Sequence, residues 1–129
     1  IPCVYYGSEW GAKAHKSEGD PALRACFDEP IENDLTEWIS ALAKAKKSSS
    51  ALNYGDFRSV VLTNKQCIFE RKTDSERVLV AINADIEAYW AHFDAGCGMA
   101  VDLITGKEHD FGGESELPPY SAYFWKCER

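Results

Sequence analysis

The chain has 129 residues, 45% of them hydrophobic, with 4 Trp, 6 Tyr and 6 Phe. That is enough apolar material for one ordinary domain with a real core, and it excludes a disordered chain. The net charge of −7 repels phosphate backbones and excludes nucleic acid as a partner, and no apolar run approaches the ~20 residues of a membrane span.

Taken in chain order, Val4-Tyr5-Tyr6 is a β-branched and aromatic run stopped by Gly7, which predicts a buried strand. Residues 7–33 are rich in Gly and Pro and predict a long loop with one helical turn at Asp20-Pro21, where Asp20 would be the N-cap and Pro21 the first helical residue. Leu35, Trp38, Ile39, Leu42 and Ala45 recur at helical spacing. Asp34 with Glu37 three residues on predicts a capping box at that helix's start. The helix should fade near Lys47, and Ser48-Ser49-Ser50 reads as a hinge or boundary.

From Phe57 the period changes to that of strands. Phe57–Thr63, Cys67–Arg71, Val78–Ile82, Tyr89–Phe93, Ala100–Ile104, Glu108–Phe111 and Tyr120–Cys127 give seven expected strands. Short turns at Asn64-Lys65-Gln66 and Thr105-Gly106-Lys107 predict two hairpins. The chain therefore divides into a strand, loop and helix over 1–50 and an all-β domain over 51–129. A lone strand-and-helix unit cannot bury its own strand, so a larger sheet is expected beside it.

The five cysteines, Cys3, Cys26, Cys67, Cys97 and Cys127, are odd in number and widely spaced. They read as small core residues in a reducing, cytoplasmic setting. No C-x-x-C pair is present, and His15, His92 and His109 stand apart. No metal site and no cofactor is expected.

Ile1-Pro2-Cys3-Val4-Tyr5-Tyr6-Gly7-Ser8-Glu9-Trp10-Gly11 resembles the Gly-x-Pro-x-x-Tyr-Tyr-Gly-x-Glu segment of the alpha-amylase family of glycoside hydrolases, family thirteen. Gly19-Asp20-Pro21-Ala22-Leu23-Arg24 is similar to its Asp-Pro-x-x-Arg element. Leu52–Phe57, Val78–Asn83 and Leu117–Ala122 resemble later segments, in the family's order. Where the family often has Arg-x-Pro-Met-x-Trp, this chain has Arg24-Ala25-Cys26-Phe27-Asp28.

The resemblance implies a mainly β chain: an antiparallel β-sandwich of the amylase C-terminal type, preceded by the last βα unit of a TIM barrel. It implies that the chain, which starts in mid-strand without Met, is an internal fragment whose partner is the rest of the catalytic barrel. It also implies an α-glucan substrate for the whole enzyme. Two catalytic carboxyl groups and a supporting Asp would lie upstream of Ile1, so no catalytic residue is expected in the chain. Asp20 and Arg24 would hydrogen-bond a glucose away from the scissile bond, and a plain surface ion pair is the competing reading. Glu9 and Trp10 follow the barrel strand and are further candidates beside the sugar, with packing at the barrel mouth preferred for Trp10. Exposed Ile1, Val4, Tyr5 and Tyr6 could join two copies through residues 1–30. Two alternatives are a stand-alone carbohydrate-binding sandwich displaying Tyr89, Trp90, Tyr123 and Trp125, and the tail of a transglycosylating relative.

Overall fold

A computed structural model describes residues 3–128. They form two compact units, divided between Ala43 and Lys44.

The first unit is irregular. Val4–Tyr6 does not form the expected buried strand: Val4, Tyr5 and Tyr6 are exposed and unpaired in any ladder. A strand needs neighbours for its backbone groups, and the unit supplies none. Ile1 lies outside the described residues. A 3-10 turn at Ser8–Trp10 is followed by another at Lys16–Glu18 and by the short helix α1, Asp20–Leu23. Gly7 enters the first turn with φ 84, and a Cβ there would stand 3.0 Å from the Ala12 side chain and 3.1 Å from the Phe27 ring. Pro21 is in the first turn of α1, as expected, but the N-cap is Gly19 and not Asp20, which is already helical.

Helix α2 spans Asp34–Ser48. Its start is capped by Asn33, whose Oδ1 accepts from the N–H groups of Leu35 and Thr36, both at 3.1 Å. The cap thus lies one residue before the expected Asp34, which is itself helical. Lys46 and Lys47 sit in the last turn, where they suit the helix dipole.

The second unit holds α3, Ser50–Tyr54, and eight strands: β1 Asp56–Leu62, β2 Gln66–Lys72, β3 Arg77–Asn83, β4 Tyr89–Ala91, β5 Met99–Asp102, β6 Glu108–Asp110, β7 Ser115–Leu117 and β8 Ser121–Cys127. Seven match the expected runs; β7 is additional. Six strands make an antiparallel sheet in the order β1-β2-β3-β8-β5-β6, and β4 pairs β7 in a second, two-stranded sheet. Both expected hairpins form, β1 with β2 and β5 with β6.

Alternation along the strands sorts side chains to two faces. Ile68, Leu79, Ala81 and Trp125 join Ala91 and Leu117 of the small sheet in the larger core cluster. Phe69, Val78, Val80 and Phe124 face the other way, against Ala51 and Leu52 of α3. Trp125 is only 2% exposed, stacked between His109 at 4.3 Å and Tyr123 at 5.1 Å between ring centroids. Buried Asn83 pins the small sheet to β3. Its Nδ2 donates to the carbonyls of Leu117 and Pro118, each at 3.0 Å, and of Glu87 at 2.8 Å.

The serine run is not a loose hinge. Ser49 caps α3 by accepting from Leu52 N–H, and Ser49 and Ser50 both donate to Glu76. The cysteines also depart from expectation. Cys3 and Cys26 are exposed, in a unit with little enclosed interior, and Cys67 is half-buried; Cys97 and Cys127 are half-buried too, but both pack against the larger core cluster.

Candidate functional site

The residues expected to meet a sugar fall on two turns of the first unit. Asp20 and Arg24 come from the first turn and the C-cap of α1. Four residues apart, they face the same way. Arg24 Nη2 stands 3.8 Å from Asp20 Oδ2, with side chains 73% and 77% exposed. Taken alone this is a solvated ion pair of small energy.

Glu9 and Trp10 occupy the 3-10 turn at Ser8–Trp10 and are half-buried. Their backbones are tied down: Thr36 Oγ1 donates to Glu9 C=O at 2.9 Å, and Asn33 Nδ2 donates to Trp10 C=O at 3.0 Å. Trp10 packs edge-to-face on Phe27, with centroids 5.1 Å apart. Glu9 Oε2 and Trp10 Nε1 are both buried without a hydrogen-bond partner among the described residues. Each such orphan is costly and marks an arrangement suited to a further polar partner. A hollow of about 140 Å³, lined by Tyr5, Tyr6, Lys13, Leu23 and Phe27 among others, includes none of the four candidates. The fold thus brings Asp20 to Arg24 with both side chains open to solvent.

The aromatic row considered for a carbohydrate-binding face does not exist as a display. Trp125 is buried, Tyr89 and Tyr123 pack against the core, and only Trp90 of the four is exposed. Among the described residues, no group of three or more His, Cys, Asp or Glu could hold a metal ion. No helix among them is long and apolar enough to cross a membrane.

The strongest electrostatic sites lie in the second unit, around Glu70 and Glu76, and no local spacing points to them. Glu70 on β2 is bound through Arg58, at 3.0 Å and 3.3 Å, and through Arg77. The Arg58 hydrogen bonds, then Arg77 against the opposing effect of burial, hold its carboxyl at about 2. Burial also opposes ionisation of Glu76. The Ala51 N–H, Lys126 and the hydroxyls of Ser50 and Ser49 outweigh it and hold that carboxyl at about 2 as well. Both clusters are architectural: their acceptors are filled by the chain's own donors.

A small sheet over a six-stranded antiparallel sheet, with α3 on the reverse, is the β-sandwich found at the C-terminal end of amylase-type enzymes. An alpha-amylase from Geobacillus thermoleovorans, solved with acarbose, superposes on 97% of this chain and 29% of its own with a TM-score of 0.82 at 18% identity, which supports the fold. No protein-family model matches the chain. The cyclomaltodextrinase of Geobacillus thermopakistaniensis (strain MAS1) is 29% identical over 139 aligned positions, covering 98% of this chain and 23% of its own length. The cyclomaltodextrin glucanotransferase of Thermoanaerobacterium thermosulfurigenes is 33% identical over 131, covering 94% of this chain and 18% of its own. The chain is a homologue of one part of the alpha-amylase family of glycoside hydrolases, and it spans less than a quarter of the length of these two relatives.

Proposed function

We propose that the chain is the C-terminal part of an α-amylase-like enzyme that cleaves or transfers α-glucosidic bonds of starch or maltodextrin, and that this part is structural and not itself catalytic. The observation that carries this reading is an uncovered apolar half-face on the large sheet. Leu62, Cys67, Ile82 and Ala122 stand in register across β1, β2, β3 and β8. Leu62 is 75% exposed, Ile82 is exposed, and exposed Phe57 stacks on Phe69 at 5.2 Å. A contiguous apolar row over four strands is a surface built to be covered. Helix α2 presents exposed Leu35 and Trp38 on its apolar stripe in the same way. The remainder of the parent barrel is the cover both surfaces suit. In that setting Asp20 and Arg24 would meet a glucan, because binding pockets are concave and assembled from several loops. Uncovered, exposed Val4, Tyr5 and Tyr6 favour pairing of two copies through residues 1–30, which sedimentation would read.

Two measurements test the reading. The chain should show no turnover of maltotriose or a nitrophenyl maltoside above buffer; hydrolysis would overturn it. Leu62→Glu and Ile82→Glu together should cut binding of an apolar fluorescent dye while leaving cooperative unfolding intact. If the pair unfolds the chain, the row belongs to its own interior.

A further inference from the structure

The small sheet turns one face to the larger core cluster and the other to solvent. On the inner side Ala91, Ser115 and Leu117 are at most 2% exposed, and Tyr89 packs against that cluster. Side chains alternate along a strand, so Trp90 and Glu116, direct partners across the ladder, both point outward. Both are exposed, Trp90 at 49%. Such partners have Cβ atoms about 5 Å apart. Two residues along, or about 7 Å, the outward pair is His92 and Glu114, with His92 Nε2 standing 3.7 Å from Glu114 Oε1. Among the described residues the Trp90 ring meets no other ring, its Nε1–H has no acceptor, and the Glu116 carboxylate has no donor. The strand beneath is tied at both ends. Asn83 Nδ2 donates to the carbonyls of Leu117 and Pro118, each at 3.0 Å, and His109 Nε2 lies 2.9 Å from Ser115 Oγ. The outward side chains therefore start from fixed points, which lowers the ordering cost of binding.

We propose that this outward face is a carbohydrate platform, on which Trp90 stacks against a glucose ring of an α-glucan while Glu116, Glu114 and His92 meet its hydroxyls. A pyranose has an apolar C–H face, which suits an indole, and a rim of hydroxyls that each donate and accept. The platform supplies both roles: Trp90 Nε1–H donates, Glu116 accepts, and the His92–Glu114 pair offers one of each. A cationic ligand would use acceptors alone and would be repelled by a protonated His92. A nucleic acid would be repelled by the two carboxylates. The choice of an α-glucan rests on the amylase-type reading above. The platform goes beyond that reading by giving the second unit a glucan contact of its own, one ring wide in place of a four-ring display. It is open and shallow, so it holds a polymer through repeated contacts better than it holds a short oligosaccharide.

The test runs the purified chain through native gels containing amylopectin, a mixed-linkage β-glucan or no polymer. Amylopectin should retard it and the β-glucan should not. Trp90→Ala should weaken the apparent affinity about tenfold and Glu116→Ala about threefold, while Tyr54→Ala, an exposed aromatic at the end of α3, should leave it unchanged. A thermal melt establishes that each variant is folded, and Glu116→Ala carries the test if Trp90→Ala is not. Retardation that survives both Trp90→Ala and Glu116→Ala would overturn the proposal. So would a wild-type chain that no polymer retards, an outcome that leaves the structural reading standing, since its turnover and dye measurements do not involve Trp90. Retardation by the β-glucan alone would overturn the proposal and count against the α-glucan reading as well. Sedimentation that shows self-association abolished by Trp90→Ala would give the face to a second copy and likewise overturn it.

Discussion

Replacing Glu76 with Gln removes the charge on which four donors converge, with little change of shape. Oε2 accepts from Ser49 Oγ and Ser50 Oγ, each at 2.9 Å, and from Ala51 N–H at 2.8 Å; Oε1 takes Lys126 Nζ at 3.0 Å. The side chain is 8% exposed, so solvent screens these contacts little. Burial works against the ionised form, yet the donors hold the carboxyl at about 2 against an ordinary 4.5. At roughly 1.4 kcal/mol per pH unit, that gap amounts to about 3 kcal/mol. The folded value lies below the unfolded one, so the stabilisation is complete above about pH 4.5 and is lost as pH falls from there through about 2. Urea unfolding of wild type and Glu76→Gln should therefore differ by about 3 kcal/mol at neutral pH, or on the order of 12 °C in Tm for a domain of this size. Near pH 2.5 the difference should shrink below about 1 kcal/mol. Glu70 titrates over the same range, but it is present in both proteins and cancels in the difference. An equal loss at both pH values, or none at neutral pH, would refute the linkage.

Arg58 leads in lowering the Glu70 carboxyl, but it lies 60% exposed, whereas Arg77 is 17% exposed. Screening should therefore make Arg77→Met cost about 2 kcal/mol or more in urea unfolding and Arg58→Met much less. His109, with Nε2 and Ser115 Oγ 2.9 Å apart and its ring stacked on Trp125, has its pKa lowered by burial, with Asp110 opposing. Its neutral form is favoured by folding, so wild-type stability should decline as pH falls below the unfolded value of about 6.5. His109→Gln should flatten that slope between about pH 7 and 5; an unchanged slope assigns it elsewhere. Gly55→Ala should cost about 2 kcal/mol or more by thermal melt, because its Cβ would meet Ala51 O at 2.6 Å and Lys72 N at 2.7 Å, both backbone atoms that cannot step aside.

The long strands were legible because they are runs rich in Val, Ile, Leu and aromatic residues between short turns. Val78–Ile82 and Tyr120–Cys127 announce β3 and β8, and Tyr123 and Trp125 were separable from Phe124 by counting alone. Tyr120 itself proved to be the bend before β8, at φ 50. Strand β7 was not legible. Ser115–Leu117 has three residues, one of them apolar, and it exists because Asn83 and β4 hold it. The Val4–Tyr6 run has strand composition without a partner to make it a strand. Composition states a preference, and pairing decides.

The same division governs the sites. Asp20 and Arg24 could be paired on paper because they are four residues apart on one helical turn. Glu76 could not, since its hydroxyl and N–H donors sit 25 to 27 residues upstream and its ammonium partner is on the last strand. Three serines in a row look like slack chain until a carboxylate is known to face them. The serine hydroxyls and one N–H then become a socket, and the apparent hinge becomes one of the more firmly held points of the second unit. A buried anion that gathers donors from distant segments leaves no local spacing to find. Such groups must be sought by asking which polar runs lack a local use for their hydrogen bonds, and Ser48-Ser49-Ser50 was such a run.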